Sequence, residues 1–452
     1  MLPDIVLLEI FDFYMDEELE DEDIEAWHTL VHVCRNWRNV VFGSPRRLNL
    51  RLCCTAETPV RQMLDVWPLL PIIIRVYSLD RWDEGNIIAA LKYNNRISEM
   101  DIFDPPHSER EKVLAALQQP FPALKRLALS FYTETVPVVP ASFLGGSAPA
   151  LQSLFLERIP FPGLPKLLLS ATHLVHLNIQ RIPRSGYISP EAMVTGLSVL
   201  TRLESLEIGF ESTWSQHDRK TRSPPTRALL PVLTLMWFKG AIEYLEDLVA
   251  RIDVPLLDKL TIIFPHQSIF YSPQLTQFIS RTPKFKVPDE AHLTFSYYDV
   301  MVALPRTVTS DGALELRISC WERDLRLSYV TQACGSSFPR ALIRAVERLY
   351  IRSSCYWQDI ENDNQWQDQW LELFRQFTAV KVLYIPSKLI PRIVFALREL
   401  VGVRVTEVLP ALQFLFLGGP LPSGLVEENM GQFIAARQIA GHPVTISLWE
   451  EE

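Results

Sequence analysis

A six-residue pattern recurs along the 452-residue chain and constrains its fold more than any other feature. Each copy holds an apolar residue, two variable residues, a second apolar residue, one variable residue and a third apolar residue. Eight copies are clear: LKRLAL from residue 124, LQSLFL from 151, LVHLNI from 174, LESLEI from 203, LDKLTI from 257, VERLYI from 346, VKVLYI from 380 and LQFLFL from 412. Weaker copies are ISEMDI from 97, LTLMWF from 233 and ALELRI from 313, with HLTF from 292 as a remnant. Such repetition predicts one short strand per copy.

The alternation inside each copy predicts which side chains are buried. Alternate residues of a strand point to opposite faces, so the apolar positions should face a core and the variable ones should face away from it. Between the copies, four segments have helical apolar spacing, namely SEREKVLAALQQ, GAIEYLEDLVARI, SPQLTQFISRT and DQWLELFRQF. The predicted fold class is therefore α/β, a solenoid with a parallel β-sheet on its concave face and helices on its convex face.

The first fifty residues have a different pattern. LPDIVLLEIFDFY predicts a short helix that begins near Pro3, and a second helix is predicted from about Ile24 to Phe42, ended by the GSP at 43–45. Eight of the ten residues from Asp16 to Glu25, between these helices, are acidic. Helical spacing places five side chains of the second helix on one face: Leu30, Val33, Cys34, Trp37 and Val41.

Helices in a segment this short bury little apolar surface by themselves, so an outside partner is expected to cover them. The alternative is that they cap the following domain and bury their apolar residues there.

These residues resemble the F-box. The resemblance rests on Leu2-Pro3, VLLEIF at 6–11 and VCRNWR at 33–38. It implies docking on a Skp-type adaptor, which joins the chain to a cullin and a RING protein in a ubiquitin ligase. The implied adaptor contacts are Leu2, Pro3, Ile5, Leu8, Ile10, Phe11, Val33, Cys34 and Trp37.

The copies of the six-residue pattern resemble leucine-rich repeats. An F-box followed by such repeats is similar to the F-box families expanded in mushroom-forming fungi. The implied organisation is an F-box over residues 1–48, a linker and amino-terminal cap over 49–95, a leucine-rich-repeat solenoid over 96–420 and a carboxyl-terminal cap over 421–452. The tail reads as one helix and a final strand. The resemblance implies a substrate-recognition subunit without catalytic residues or cofactor.

The variable position between the second and third apolar residues should line the concave face. In chain order it holds Ala128, Phe155, Asn178, Glu207, Trp237, Thr261, Arg317, Tyr350, Tyr384 and Phe416. Aromatic residues and arginine are common anchors of protein interfaces. The candidate substrate-binding residues are Phe155, Trp237, Arg317, Tyr350, Tyr384 and Phe416. The alternative is that aromatic residues simply suit strands and pack under the tail.

Charge and composition argue against several classes of partner. The net charge is −9, but outside the acidic run the acids and bases nearly balance, so no nucleic-acid partner is expected. No apolar run approaches the roughly 20 residues that cross a bilayer, so no membrane partner is expected. The six cysteines form no C-x-x-C pair and the sequence has no Asn-x-Ser/Thr sequon, which favours a cytoplasmic or nuclear location.

Few residues suggest chemistry. His28 and His32 have a helical i, i+4 spacing but lack the glutamate of an H-E-x-x-H site, so no metal is expected. Cys53 and Cys54 are expected to be buried thiols. The spacing of Trp366, Trp370 and Phe374 predicts a helix stripe that faces the sheet. An enzyme is therefore the least favoured class, behind a ligase receptor and an interaction scaffold with a degenerate F-box.

Overall fold

The structure is a computed structural model that describes residues 2–16, 26–55, 60, 64, 68–77, 84–132, 136–212, 227–265, 271–285, 288–305, 314–320, 326–354, 364–400, 402–421 and 424–450. Most of the acidic run, and most of the DIENDNQ segment before Trp366, lie outside these residues. The chain forms two compact units. The first holds Met1–Ile188 and Thr195–Leu203, and the second holds Ser189–Val194 and Glu204–Glu452.

The first unit begins with helices and continues with strands that alternate with helices. Its elements are α1 (Asp4–Asp16), α2 (Ala26–Val33), α3 (Arg35–Gly43), β1 (Leu52–Cys54), β2 (Ile72–Val76), α4 (Glu84–Leu91), β3 (Ile97–Phe103), α5 (His107–Ala116), β4 (Arg126–Ser130), β5 (Ser153–Glu157), α6 (Leu164–Leu168) and β6 (His176–Ile182). The next helix, α7 (Pro190–Leu197), is divided between the units.

The strands of the first unit are parallel and lie in chain order from β1 to β6. Equivalent positions of successive copies pair in register, so that Leu127 lies beside Leu154 and Leu154 beside Leu177. The sheet already begins at Leu52, whereas residues 49–95 were predicted to be a linker and cap. Their LCC segment at 52–54 and IIIRV segment at 72–76 are strands without the full six-residue pattern.

The second unit repeats the alternation. Its elements are β7 (Ser205–Phe210), β8 (Ala228–Leu229), β9 (Leu235–Lys239), α8 (Ile242–Ala250), β10 (Ile252–Asp253), β11 (Lys259–Pro265), α9 (Pro273–Arg281), β12 (Glu290–Phe295), β13 (Asp299–Leu304), β14 (Leu314–Ser319), α10 (Arg326–Ser336), α11 (Arg340–Ala345), β15 (Arg348–Ser353), α12 (Asn364–Phe374), β16 (Val382–Ile385), α13 (Ile390–Arg398), β17 (Phe414–Leu417), α14 (Leu425–Ile439) and β18 (Thr445–Leu448).

The sheet of the second unit departs from the predicted all-parallel order. Its strands lie in the order β7-β9-β11-β14-β13-β12-β15-β16-β17-β18, and β13 runs antiparallel to β12 and β14. A tight reversal joins β12 to β13, where Ser296 and Asp299 exchange hydrogen bonds. Because β12 to β14 run as a meander, they enter the sheet in reverse chain order. The sheets are thus mostly parallel within a mixed α/β fold.

Helices cover the side of the sheet that carries the apolar positions of the repeats. Phe295 of β12 lies 5.8 Å from Trp370 of α12, and Phe238 of β9 stacks on Tyr244 of α8 at 5.8 Å. The predicted stripe of Trp366, Trp370 and Phe374 is confirmed as buried. All eight clear copies form strands, and the four predicted helical segments are helices α5, α8, α9 and α12.

The helix predicted from Ile24 to Phe42 is wrong in one respect, because the chain breaks it at Cys34. The backbone of Cys34 is extended, at φ −159° and ψ 170°, and its Sγ accepts a hydrogen bond from the amide of Trp37 at 3.5 Å. The thiol therefore acts as the N-cap of α3. Arg38 ties the two helices together, since its Nε donates to the carbonyl of Val31 at 3.0 Å. Among the described helices, none combines the length and apolarity that a membrane span requires.

Candidate binding surfaces

One side of α1 is anchored to the rest of the first unit. Leu7 and Phe11 are 3% and 0% exposed, and the Phe11 ring meets Trp37 edge-on at 4.8 Å. Arg47 forms two salt bridges with the same helix. Its Nη2 lies 2.6 Å from Glu9, and its Nε lies 2.8 Å from Asp12. Both hydrogen bonds raise the pKa of Arg47, the bond to Asp12 more than the bond to Glu9. The helix is thus fixed in orientation.

The other side of α1 carries five large apolar side chains that are exposed to solvent. Ideal helical spacing of 100° per residue places them within one half of the helix surface. They are Ile5 at 65%, Val6 at 38%, Ile10 at 45%, Phe13 at 73% and Tyr14 at 42% exposure. We call these five residues the α1 apolar face. Leu2, just before the helix, is 53% exposed as well.

The predicted adaptor contacts divide into two groups. Leu2, Pro3, Ile5, Ile10, Val33 and Cys34 are exposed, and Leu8 and Trp37 are partly exposed. Phe11 is fully buried against Trp37, so its predicted place in an adaptor interface does not fit the structure. Its role is to hold α1 on α3. The exposed Val6, Phe13 and Tyr14 were missed, although their spacing from Ile10 could have shown them.

The second unit presents a row of stacked rings on the side of the sheet away from the helices. Tyr350 of β15 lies between its register partners His292 of β12 and Tyr384 of β16, and Phe416 of β17 follows. Ring centroids are 4.6 Å apart for His292 and Tyr350, 4.2 Å for Tyr350 and Tyr384, and 4.9 Å for Tyr384 and Phe416. We call these four residues the aromatic ladder.

The stacking determines what the ladder offers a partner. The ring planes of Tyr350 and Tyr384 are within 7° of parallel, so the two rings cover each other's faces. Their edges point away from the sheet. At the far end Phe416, which is partly exposed, pairs in register with Ser447, which has no ring to stack on its outer face. Trp449, just beyond β18, meets Tyr384 at 5.3 Å and 72°. All five side chains are partly exposed.

The polar groups of the ladder are poorly solvated. Burial raises the pKa of Tyr350 to about 12, with a further rise from its hydrogen bond to Tyr384. Burial also lowers the pKa of His292, against the opposing hydrogen bond to Glu290, whose Oε2 lies 3.5 Å from Nε2. Both effects keep these side chains neutral near pH 7. The ladder is therefore a neutral, aromatic binding surface.

The predicted substrate residues do not form one cluster. Phe155 belongs to the first unit, and the other five belong to the second. Tyr350, Tyr384 and Phe416 lie together in the ladder. Trp237 is in the same register row but five strands from Tyr350, about 24 Å at the usual strand spacing. Arg317 occupies the next row, opposite Met301, and pairs with Glu315 at 3.1 Å.

His292 in the ladder and Trp449 beside it are the residues that the repeat pattern did not identify as part of this surface. His292 lies in β12, which runs parallel to β15 but antiparallel to β13, so its register partner could not be read from copy spacing. Trp449 follows the last strand and belongs to no copy of the pattern. The only available signal was its place at the end of an apolar, strand-like tail.

The open side of the first unit has a different character. Asp101 of β3 is 2% exposed, and its carboxylate lies 3.3 Å from Arg126 and 4.0 Å from Arg75. The aromatic contacts of the described residues on this side are one stacked pair, Tyr77 and Phe103 at 5.5 Å, and a looser contact of Phe155 with Phe103 at 6.3 Å. This row is held together by charge.

Two further sequence candidates have structural positions. The ring of His28 lies 3.9 Å from Trp27, and Cys53 and Cys54 are buried, as predicted. Within the described part of the chain, no group of three or more histidine, cysteine or acidic residues is arranged to hold a metal ion.

The chain was also compared with known proteins. Neither the models of known protein families nor the curated proteins that were searched gave a match to this chain.

Proposed function

We propose that this chain is the substrate receptor of a Skp–cullin–F-box ubiquitin ligase. In this proposal the amino-terminal helices are an F-box that docks on a Skp-type adaptor, and the strand array is a leucine-rich-repeat domain that binds a protein substrate. The chain is proposed to supply no catalytic residue and no cofactor. Tethering alone would accelerate ubiquitin transfer by raising the effective concentration of the substrate near the conjugating enzyme.

The exposed α1 apolar face is the observation that carries this proposal. Five large apolar side chains, between 38% and 73% exposed, lie around the Arg47 partner Glu9 on one half of a helix whose opposite half is anchored by Leu7 and Phe11. A contiguous exposed apolar patch on an ordered helix marks an interaction site. If the helices had capped the following domain, as in the alternative interpretation, these side chains would have been covered.

The aromatic ladder supports the second half of the proposal. Tyrosine, tryptophan and arginine dominate the residues that contribute most to protein interfaces. The open face of Phe416 offers a site where an aromatic or proline side chain of a substrate could stack. The edges of Tyr350 and Tyr384 then form the floor beside it.

The test is co-expression with a Skp-type adaptor, followed by size-exclusion chromatography. The variant Ile5→Arg with Ile10→Arg places two charges on the α1 apolar face without removing buried packing. We expect the wild type to co-elute with the adaptor and this variant to elute alone with an unchanged circular dichroism spectrum. Trp37→Ala is unsuitable, because Trp37 packs on the buried Phe11 and its loss would disturb the helices.

The matched control is Leu425→Arg with Ile439→Arg. These residues are 57% and 88% exposed on α14 of the second unit, so the control makes the same chemical change on another exposed helix. It should co-elute like the wild type. If folded wild-type protein elutes without adaptor, the receptor proposal fails, and an interaction scaffold with a degenerate F-box takes its place. If every variant co-elutes, the α1 apolar face is not the docking site.

A further inference from the structure

A cavity of about 290 Å³ lies in the second unit between helices α10, α11 and α12, on the helix-covered side of the sheet. Three arginines line it. Arg340 and Arg344 are one turn apart on α11 and so share a helix face, and Arg375 follows the end of α12. One carboxylate, Glu372 of α12, also lines the cavity. We call these four residues the arginine cavity.

The arginines of this cavity differ from others in the same unit. Arg348 pairs with Glu290 at 2.8 Å, Arg251 with Asp247 at 2.9 Å and Arg281 with Asp253 at 3.0 Å. Among the described residues, none of Arg340, Arg344 and Arg375 has an ion pair or a side-chain hydrogen bond. Three exposed arginines thus line one pocket without a carboxylate in contact, in a chain whose net charge is −9.

The walls of the cavity are ordered and otherwise neutral. Gln376 donates from Nε2 to the carbonyl of Thr331 at 2.9 Å, which ties the segment after α12 to α10. Cys334 is buried at the cavity, and burial raises the pKa of its thiol to about 12, so it carries no charge near pH 7. The arginines therefore lie on two segments, α11 and the residues after α12, and both segments are attached to α10.

We propose that the arginine cavity binds a phosphate dianion, either the phosphorylated side chain of a partner protein or free inorganic phosphate. Guanidinium groups donate two parallel hydrogen bonds to phosphate oxygens, and clusters of arginine are a recurring way to recognise phosphorylated residues. A bound dianion would also relieve the repulsion among the three cations. The small volume fits a phosphoryl group better than a large cofactor. The inference is independent of adaptor docking and of the aromatic ladder.

Calorimetric titration of the full chain at fixed ionic strength tests the proposal with three probes. They are a five-residue glycine–alanine peptide with a central phosphoserine, the same peptide with serine, and inorganic phosphate. We expect binding of the phosphorylated probe and none of the serine peptide. Arg340→Gln with Arg344→Gln should weaken binding at least about 10-fold, because each charge-assisted hydrogen bond contributes that much or more.

Two further variants separate recognition from folding. Glu372→Gln removes the one repelling carboxylate and should tighten binding several-fold, an effect that a merely structural role would not produce. The matched control, Arg398→Gln with Arg404→Gln, changes two exposed arginines that are paired with Glu399 and Glu407, and it should bind like the wild type.

The outcomes distinguish the two sources of phosphate. Phosphopeptide binding at least about 10-fold tighter than inorganic phosphate identifies a phosphorylated partner, and equal affinities identify free phosphate. The proposal is overturned if neither phosphate-bearing probe binds, or if the Arg340 and Arg344 variant binds as well as the control.

Discussion

The open faces of the two units use the same strand positions for different chemistry. In the first unit the register row that contains Asp101, Ala128 and Phe155 is organised by a buried carboxylate between two arginines. In the second unit the row that contains Tyr350 and Tyr384 is a stack of rings. The buried leucines behind both rows are alike in position and exposure. The repeat thus fixes the buried side and leaves the open side free to vary.

This difference affects what each face can offer a partner. A carboxylate that is 2% exposed must be satisfied by its neighbours, so Arg75 and Arg126 are already engaged. Stacked rings cover only each other's faces, and the ring edges remain available for contact with a partner. We therefore expect the first face to contribute mainly to stability and the second mainly to binding.

The largest effect should be equal in the two units. Leu154→Ala in β5 and Leu349→Ala in β15 both remove side chains that are at most 1% exposed. Each should lower the free energy of unfolding by about 3 kcal/mol, since each leaves a cavity in a packed core. Urea denaturation followed by circular dichroism measures this. A cost confined to one of the two variants would show that the buried sides differ after all.

The next effect should be specific to the first unit. Asp101→Ala leaves Arg75, which is 13% exposed, without its carboxylate, and should cost about 2 kcal/mol. Arg126→Ala is the comparison: Arg126 is 54% exposed, but it is the nearer partner of a buried carboxylate, so its loss should cost about 1 kcal/mol. Hydrogen exchange of the β3 and β4 amides reports the change locally. Equal costs for the two variants would argue against a charge-organised face.

Removal of one ring should lower the free energy of unfolding by a smaller amount, and the loss should be greater in the second unit than in the first. Tyr384→Ala removes contacts with Tyr350, Phe416 and Trp449, and we expect a loss of about 1.5 kcal/mol. Phe155→Ala in the first unit removes a looser ring contact at 6.3 Å and should cost about 0.5 kcal/mol. Urea midpoints compare the two directly. If Phe155→Ala costs as much as Tyr384→Ala, the ladder is not a distinct structural feature.

The smallest effect is a dependence on alkaline pH. The pKa of Tyr350 rises from 10.0 to about 12 in the folded chain, so the folded state keeps a proton that the unfolded state has lost. The resulting stabilisation is complete below pH 10 and disappears as the pH rises through 12. Stability measured against pH should therefore fall less steeply in Tyr350→Phe over this interval. An unchanged slope would contradict the raised pKa.

The sequence predicted well whatever depends on local alternation. Copies such as LQSLFL and VERLYI place an aliphatic residue at every buried position, so strand position and facing could be read without a structure. The stripe of Trp366 and Trp370 followed from helical spacing in the same way. The α1 apolar face could be read in part, because Ile5 and Ile10 were among the adaptor contacts that the F-box resemblance implied.

The sequence did not predict features that depend on distant partners. The reversal of β13 follows a turn at Ser296–Asp299 that contains no glycine, so no turn signal announced it. The place of His292 beside Tyr350 follows from that reversal. The break at Cys34 has no glycine or proline either, and only the capping geometry reveals it. The arginine cavity joins residues from two helices that no motif connects.

The reversed meander also has a consequence for synthesis on the ribosome. Leu127 pairs with Leu154 and Leu154 with Leu177, so each of these strands meets its next neighbour 27 and 23 positions later. Leu260 of β11 pairs instead with Leu314, 54 positions later. At a translation rate of about 5 to 20 residues per second, the edge of β11 stays unpaired for roughly 3 to 10 s before its partner strand is made. The nascent chain should therefore be most vulnerable to misassociation and most dependent on chaperones while residues 266–314 are being made.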